Sequence, residues 1–223
     1  MKTPSRRYST LICLLSLAFL ASPVYAGLQQ VVSVPGIGAN DTIVWSALGG
    51  DLTSLTPPVN SATLNGLPYT VQGPSSFTIF QGSTYNADFL PSDFVISAFD
   101  INSFNPLFTP IEIDLPLHAL AIGMQVQVNA FGPFSATLQA FDAASNLLGS
   151  VTVNSSIGGN GDGSAVFLGG MTTSNPIASV LISSPTAGLA LDTVFLQDAP
   201  EPGCLLLAAP ALALLIIRKR ARR

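Results

Sequence analysis

Asn160, Asp162 and Ser164 alternate through a turn that also carries Gly158, Gly159, Gly161 and Gly163. Oxygen side chains at every second position of a flexible loop are what a hard cation such as calcium takes as ligands, and Asp142 and Asp192 lie in the same half of the chain. The loop departs from an EF-hand, because Ala165 stands where glycine is required and Met171 replaces the bidentate carboxylate. Gly and Asn are also strong turn formers, so a plain Gly-Asn-Gly-Asp-Gly connection is the simpler reading. Calcium held here would be structural, and no other cofactor is indicated.

Groups suited to catalysis are sparse. His118 is the sole histidine, so a Ser-His-Asp arrangement would have to pass through it. It follows Pro116 in an apolar neighbourhood, where a lone histidine marks packing or surface. Glu112 and Asp114 are two apart on a predicted strand and so share a face. Glycosidases hold their two carboxylates across a cleft from different strands, which leaves this pair as a solvated strand face. No catalytic residue is assigned, and a hydrolase ranks third among the functions considered.

Sugar recognition is the other chemistry within reach. It uses aromatic faces beside polar groups, and Trp45, Tyr69, Tyr85, Phe131 and Phe134 are the candidates. Trp45, flanked by Ile43 and Val44, reads as core. Phe131 and Phe134 bracket Gly132-Pro133 and are the stacking candidates.

The elements that must position these residues read as β throughout. Apolar residues recur at every second position in Leu120, Ile122, Met124, Val126 and Val128, and again in Ala136, Leu138 and Ala140. The turn material of 142–146 leads from the second run to Leu147, Leu148, Val151 and Val153, which predicts a hairpin. Further strands are predicted at 42–47, 63–71, 77–80, 94–99, 111–115, 165–168, 177–183 and 189–196, with no competing helical stripe. Many short strands separated by Gly, Pro, Asn and Ser fit an all-β, two-sheet β-sandwich, a jelly roll first among them. Whether 27–115 joins the sandwich or forms a small domain of its own stays open at this point.

Charge is distributed unevenly. All eight basic residues lie within positions 2–7 or 218–223, while eleven of the twelve acidic ones fall in 27–199. That central stretch therefore carries a formal charge of −11. Nucleic-acid binding needs basic side chains to neutralise phosphates and is excluded. Cys13 and Cys204 also lie outside the stretch, so its stability rests on its core, with no disulfide.

Both termini carry targeting features. Lys2, Arg6 and Arg7, an apolar run over 11–21 and the small-residue site Val24-Tyr25-Ala26 mark residues 1–26 as a secretory signal peptide. At the other end Pro200-Glu201-Pro202 precedes an apolar run over 203–217 and then Arg218, Lys219, Arg220, Arg222 and Arg223. As a helix, 203–217 would span roughly 22 Å of a hydrocarbon core about 30 Å thick. The basic flank snorkels and sets the terminus in the cytoplasm. Pro210 would remove a backbone hydrogen bond in mid-span, which suits a transient anchor.

A short acidic motif, one apolar stretch and a basic end, in that order, resemble the PEP-CTERM sorting signal of bacterial surface proteins. The resemblance covers 200–223 and implies export across the inner membrane, a transient transmembrane helix, and cutting by an exosortase-type membrane protease. Residues 136–149 with Ile177-Ala178-Ser179-Val180-Leu181-Ile182 and Leu189-Ala190-Leu191-Asp192-Thr193-Val194 look like the jelly-roll ectodomains common in such proteins. The expectation is a non-enzymatic cell-surface or matrix protein associated with extracellular polysaccharide, with a lectin-like carbohydrate-binding module as the alternative. Mass spectrometry of the protein from its native host should show a chain that begins near Gly27 and lacks 218–223. Recovery of the basic terminus on the surface-located form would refute the sorting reading.

Overall fold

A computed structural model describes residues 27–198, apart from residues 86, 109 and 174 and the side chains of residues 116–118. The signal-peptide and sorting-signal readings lie outside the described residues. No helix among those described is long and apolar enough to cross a membrane.

The described chain is nearly all strand. It runs β1 (Gln29–Val31), a single turn of helix α1 (Val34–Ile37), β2 (Asp41–Ile43), a 3-10 turn (Trp45–Ala47), β3 (Thr53–Leu55), β4 (Val59–Ala62), β5 (Pro68–Gln72) and β6 (Phe77–Gln81). It continues with β7 (Phe94–Ser97), β8 (Phe99–Asp100), β9 (Asn105–Pro106), β10 (Ile111–Gln127), β11 (Gly132–Phe141) and β12 (Leu147–Ile157). The last four strands are β13 (Val166–Met171), β14 (Ile177–Ser183), β15 (Ala190–Leu191) and β16 (Val194–Asp198).

β10 joins the two halves of the fold. Its beginning pairs antiparallel with β14 along one edge and β5 along the other, so that Glu112 lies opposite both Leu181 and Gln72. The register shifts between Asp114 and Ala119, a stretch that contains Pro116, which has no amide hydrogen to give a ladder. Beyond it β10 pairs with β13 on one edge, and with β16 and then β15 on the other. β11, β12 and β4 extend the first group, while β1, β2, β7, β6 and β3 extend the second. The expected two sheets are therefore one continuous sheet, rolled until its halves face each other across a shared core. The strands of 27–115 pair into that same sheet through β2, β5, β6 and β7, apart from β8 and β9, which form a separate two-stranded ribbon.

The core follows from period-2 patterning. Ile111, Ile113 and Leu115 from the start of β10 meet Ile122, Met124 and Val126 from its end, with Leu138, Val180, Ile182, Leu168 and Leu196 filling between. The later part of β10 is covered on its outer face as well, where Val31, Ile37 and Ala121 form a small cluster beneath α1. A third cluster lies outside β6 and β7. There the loop 82–93 lays Tyr85 and Phe89 against Phe80, with ring centroids of Phe80 and Tyr85 5.3 Å apart.

Local departures from the sequence reading have physical causes. The strand expected over 42–47 ends at Ile43, because the 3-10 turn that follows swings Trp45 fully inside, where its Nε1 donates to the Asp192 carbonyl at 2.9 Å. The strand expected over 63–71 is interrupted at Gly66, whose φ of +84° makes a turn between β4 and β5. The runs at 111–115 and 120–128 belong to one strand, β10, which changes partners between them. Replacing Ile122, fully buried at the centre, by Ala should cost about 2–5 kcal/mol in chemical denaturation. Leu64→Ala, on the surface, should stay within about 0.5 kcal/mol.

Candidate functional site

The loop 158–164 is organised by a carboxylate that sequence reading did not single out. Asp88, on the loop between β6 and β7, is only 3% exposed. It accepts from the amides of Gly158 (2.9 Å) and Asn160 (2.8 Å) and from Nε2 of Gln127 (3.0 Å), whose Oε1 in turn accepts from the Asp88 amide. Burial works against its charge, but the amides of Asn160 and Gly158, the Gln127 side chain and the Gly159 amide outweigh it and hold the carboxyl below the ordinary carboxylate range. Gly161 adds a backbone bond to the Ala87 carbonyl.

The three residues read as calcium ligands all sit on this loop. Asn160 offers its backbone amide to Asp88, while the Asp162 carboxylate accepts from the Ser164 amide at 3.0 Å within its own turn. Among the described residues no three His, Cys, Asp or Glu side chains gather together. Of the two acids named with them, Asp142 caps its own turn through the amides of Ala144 and Asn146. Asp192 is buried behind Trp45. Burial, opposed by the Thr193 amide and reinforced by the charge of Asp93, pushes its carboxyl up to about 6.

The aromatic candidates divide sharply. Phe131 is 63% exposed, and its ring lies over Gly159. A Cβ at Gly159 would come within 2.5 Å of the ring, and the φ of +72° there favours glycine independently, so the loop presents a flat floor to the phenyl. Phe134 is not a surface residue, which corrects its reading as a stacking candidate. β11 begins at Gly132 rather than after the aromatic pair, and Phe134 occupies its first inward position, in line with Ala136, Leu138 and Ala140. Trp45, Tyr69 and Tyr85 are buried too; the Tyr85 hydroxyl donates to the Gly188 carbonyl at 2.7 Å, and burial raises its pKa.

Glu112 and Asp114 do share the outer face of β10. Asp114 accepts from Nε2 of Gln72 at 2.6 Å, and Glu112 has its carboxyl raised by burial and by the nearby charge of Asp114. They stand side by side on one strand, both half-buried. The side chain of His118 lies outside the described residues.

Two exposed aromatics escaped the sequence reading. Phe104 and Phe108 are 77% and 70% exposed, on and just after the ribbon of β8 and β9. The signal that marks Phe131 marks Phe104 as well, namely an aromatic flanked by turn formers, here Asn102-Ser103 and Asn105-Pro106, whereas Phe108, between Leu107 and Thr109, carries no such signal. A separate hollow of about 350 Å³ is lined by Val34, Asn40, Asp41, Leu64, Asn65 and Phe195 among others. Its carboxylate is already occupied, since Asp41 accepts from the amides of Thr42 and Asn65 and from the Thr63 hydroxyl.

No protein-family model matches the chain, and no curated protein matches it by sequence. Among solved structures it is similar to a DUF4465 family protein from Bacteroides caccae, at 10% identity over 76% of this chain and 100% of that one, with a TM-score of 0.40. It is similar to CsCBM6-3 from Clostridium stercorarium, solved in complex with cellobiose, at 12% identity over 68% and 98% of the two chains, with a TM-score of 0.32. The CBM22-1 xylan-binding domain of Paenibacillus barcinonensis Xyn10C is similar at 13% identity over 68% and 97%, with a TM-score of 0.35. Overlaps this partial leave the site to be argued from its own residues.

The buried carboxyl of Asp192 generates a test by pH. An unfolded chain releases that proton near 3.8, and the folded protein keeps it to about 6. Between those values the folded state holds more protons, so stability falls as pH rises and the loss is complete above about 6. Asp192→Asn should remove that slope, gaining on the order of 2–3 kcal/mol relative to wild type between pH 4 and pH 7. Thermal melts of both proteins at the two pH values check it; a stability gap independent of pH would refute the assignment.

Proposed function

We propose that this chain is an exported, non-enzymatic surface protein whose jelly-roll-like β-sandwich binds neutral carbohydrate. In this reading the 1–26 segment directs export and the Pro200-Glu201-Pro202 tail anchors the chain until an exosortase-type protease releases it to the cell surface or extracellular polysaccharide. The observation that carries the binding role is Phe131, an exposed ring set against Gly159, whose loop is pinned by Asp88. A phenyl face held out in solvent on a rigid support matches the apolar face of a sugar ring, while hydroxyls need the amide and hydroxyl groups nearby.

Charge selects among glycans. With eleven carboxylates and no Lys or Arg in 27–199, an acidic polymer meets repulsion, screened over about 8 Å at physiological salt. Neutral sugars meet no such barrier, and acidic ones would need a bridging cation.

Affinity electrophoresis through neutral and acidic exopolysaccharides is the test. The native protein should be retarded by a neutral polymer, with no reducing sugar released, and Phe131→Ala should lose more than about 1 kcal/mol of affinity. Salt-sensitive retention by an acidic polymer in the presence of chelator would overturn the electrostatic selection, and retention by none would leave only a structural role.

A further inference from the structure

Three exposed phenyl rings leave the fold around a single backbone crossing. Gly188, with a φ of +72°, lies so close to its neighbours that a Cβ there would fall 2.5 Å from Cβ of Asn129 and 3.1 Å from Cβ of Pro106. Its amide donates to the Leu107 carbonyl at 3.1 Å, and its carbonyl takes the buried Tyr85 hydroxyl. The turn before β11, the turn before β15 and the β8–β9 ribbon are thereby fastened together. Phe131 is two residues from Asn129, and Phe104 and Phe108 are each two residues from Pro106. Their attachment points therefore lie within about 7 Å of chain on either side of that crossing.

The ribbon tip is braced to hold its ring outward. The Asp100 carboxylate accepts from the Asn102 amide at 3.0 Å and from the Ser103 hydroxyl at 2.6 Å. Phe104 follows at a φ of +53°, a left-handed conformation rare for a bulky side chain. An exposed hydrophobic residue in an unfavourable backbone conformation contributes nothing to the core beneath it. Around the rings stand Asn102, Ser103, Asn105 and Asn129, all amides or hydroxyls.

Resting on the carbohydrate-binding reading above, we propose that Phe104 and Phe108 extend the Phe131 contact into one multi-ring platform, whose ligand is an internal stretch of a linear neutral polysaccharide rather than a single terminal sugar. A terminal residue needs one ring and a closed pocket. Three rings spread over adjoining loops offer successive stacking points with no end wall, and amide and hydroxyl groups between them serve hydroxyls of an uncharged chain. With no Lys or Arg in 27–199, phosphate- or carboxylate-bearing chains meet repulsion unless a cation bridges them, so an uncharged chain is the fitting occupant.

The experiment is isothermal titration of the full chain in mild detergent with neutral β-1,4-linked gluco- and xylo-oligosaccharides of two to six units. Affinity should rise with length, Phe104→Ala and Phe108→Ala should each weaken the longest ligand about tenfold, and Phe104→Tyr, which keeps the ring, should bind as wild type does. The disaccharide should respond to Phe131→Ala alone. Binding that stops improving at two units and ignores Phe104→Ala overturns the platform while leaving a single-sugar site at Phe131. Failure of every oligosaccharide to bind overturns both readings. Sedimentation supplies the remaining check, because a dimer that Phe104→Ala converts to monomer would make these rings a contact between copies and refute the proposal.

Discussion

The double use of β10 is the constraint on which the molecule depends. A strand that served one sheet would leave the other half without a partner for β13, β15 or β16. By changing partners across the shift between Asp114 and Ala119, one segment sets the register of both halves and supplies inward side chains to each. Every loop that bears a candidate residue hangs from this arrangement. Gln127, at the end of β10, reaches Asp88, and Gln125 supplies two further bonds, from Nε2 to the carbonyls of Gly163 and Ala165.

A chain that confines its cations to its termini must treat its carboxylates differently from most proteins. Within 27–199 there is no Lys or Arg to pair with the acids, and among the described residues backbone amides and small polar side chains take that part. Asp51 accepts from the Gln81 amide and the Thr84 hydroxyl, Asp41 from Thr42, Asn65 and Thr63, and Asp88 from Gly158 and Asn160. Each is a local brace that fixes one loop to another, as charge-assisted hydrogen bonds do. Asp93, Glu112, Asp192 and Asp198 are held less well: burial raises each of these carboxyls, that of Asp192 to about 6, and Asp198 keeps one buried oxygen without a partner.

The same economy shapes the surface. Loops braced by amide-to-carboxylate bonds can hold exposed rings in place without a basic residue, and what they present to a partner is apolar, polar or acidic but never positive. Phe131 rests on Gly159, and the ribbon that carries Phe104 is fixed by Asp100. Rigidity of this kind matters to weak ligands such as sugars, because a ring already ordered loses little entropy on binding.

Much of this was open to inspection before any coordinates. Alternation in 120–128 and 136–140 marked strands that are present, since a half-buried strand must repeat every two residues whatever it pairs with. The absence of basic residues from 27–199, and with it the exclusion of nucleic acid, is likewise a property of the sequence alone. What sequence could not say is which strands pair, because pairing depends on residues far apart: that 111–115 and 120–128 form one strand shared by both halves follows from partners at 70–72 and 166–198. Nor could it separate Phe131 from Phe134. Three positions apart and equally apolar, they differ only in that the strand begins between them, and a strand's starting point is fixed by its neighbours' register, which sends one ring into the core and leaves the other in water.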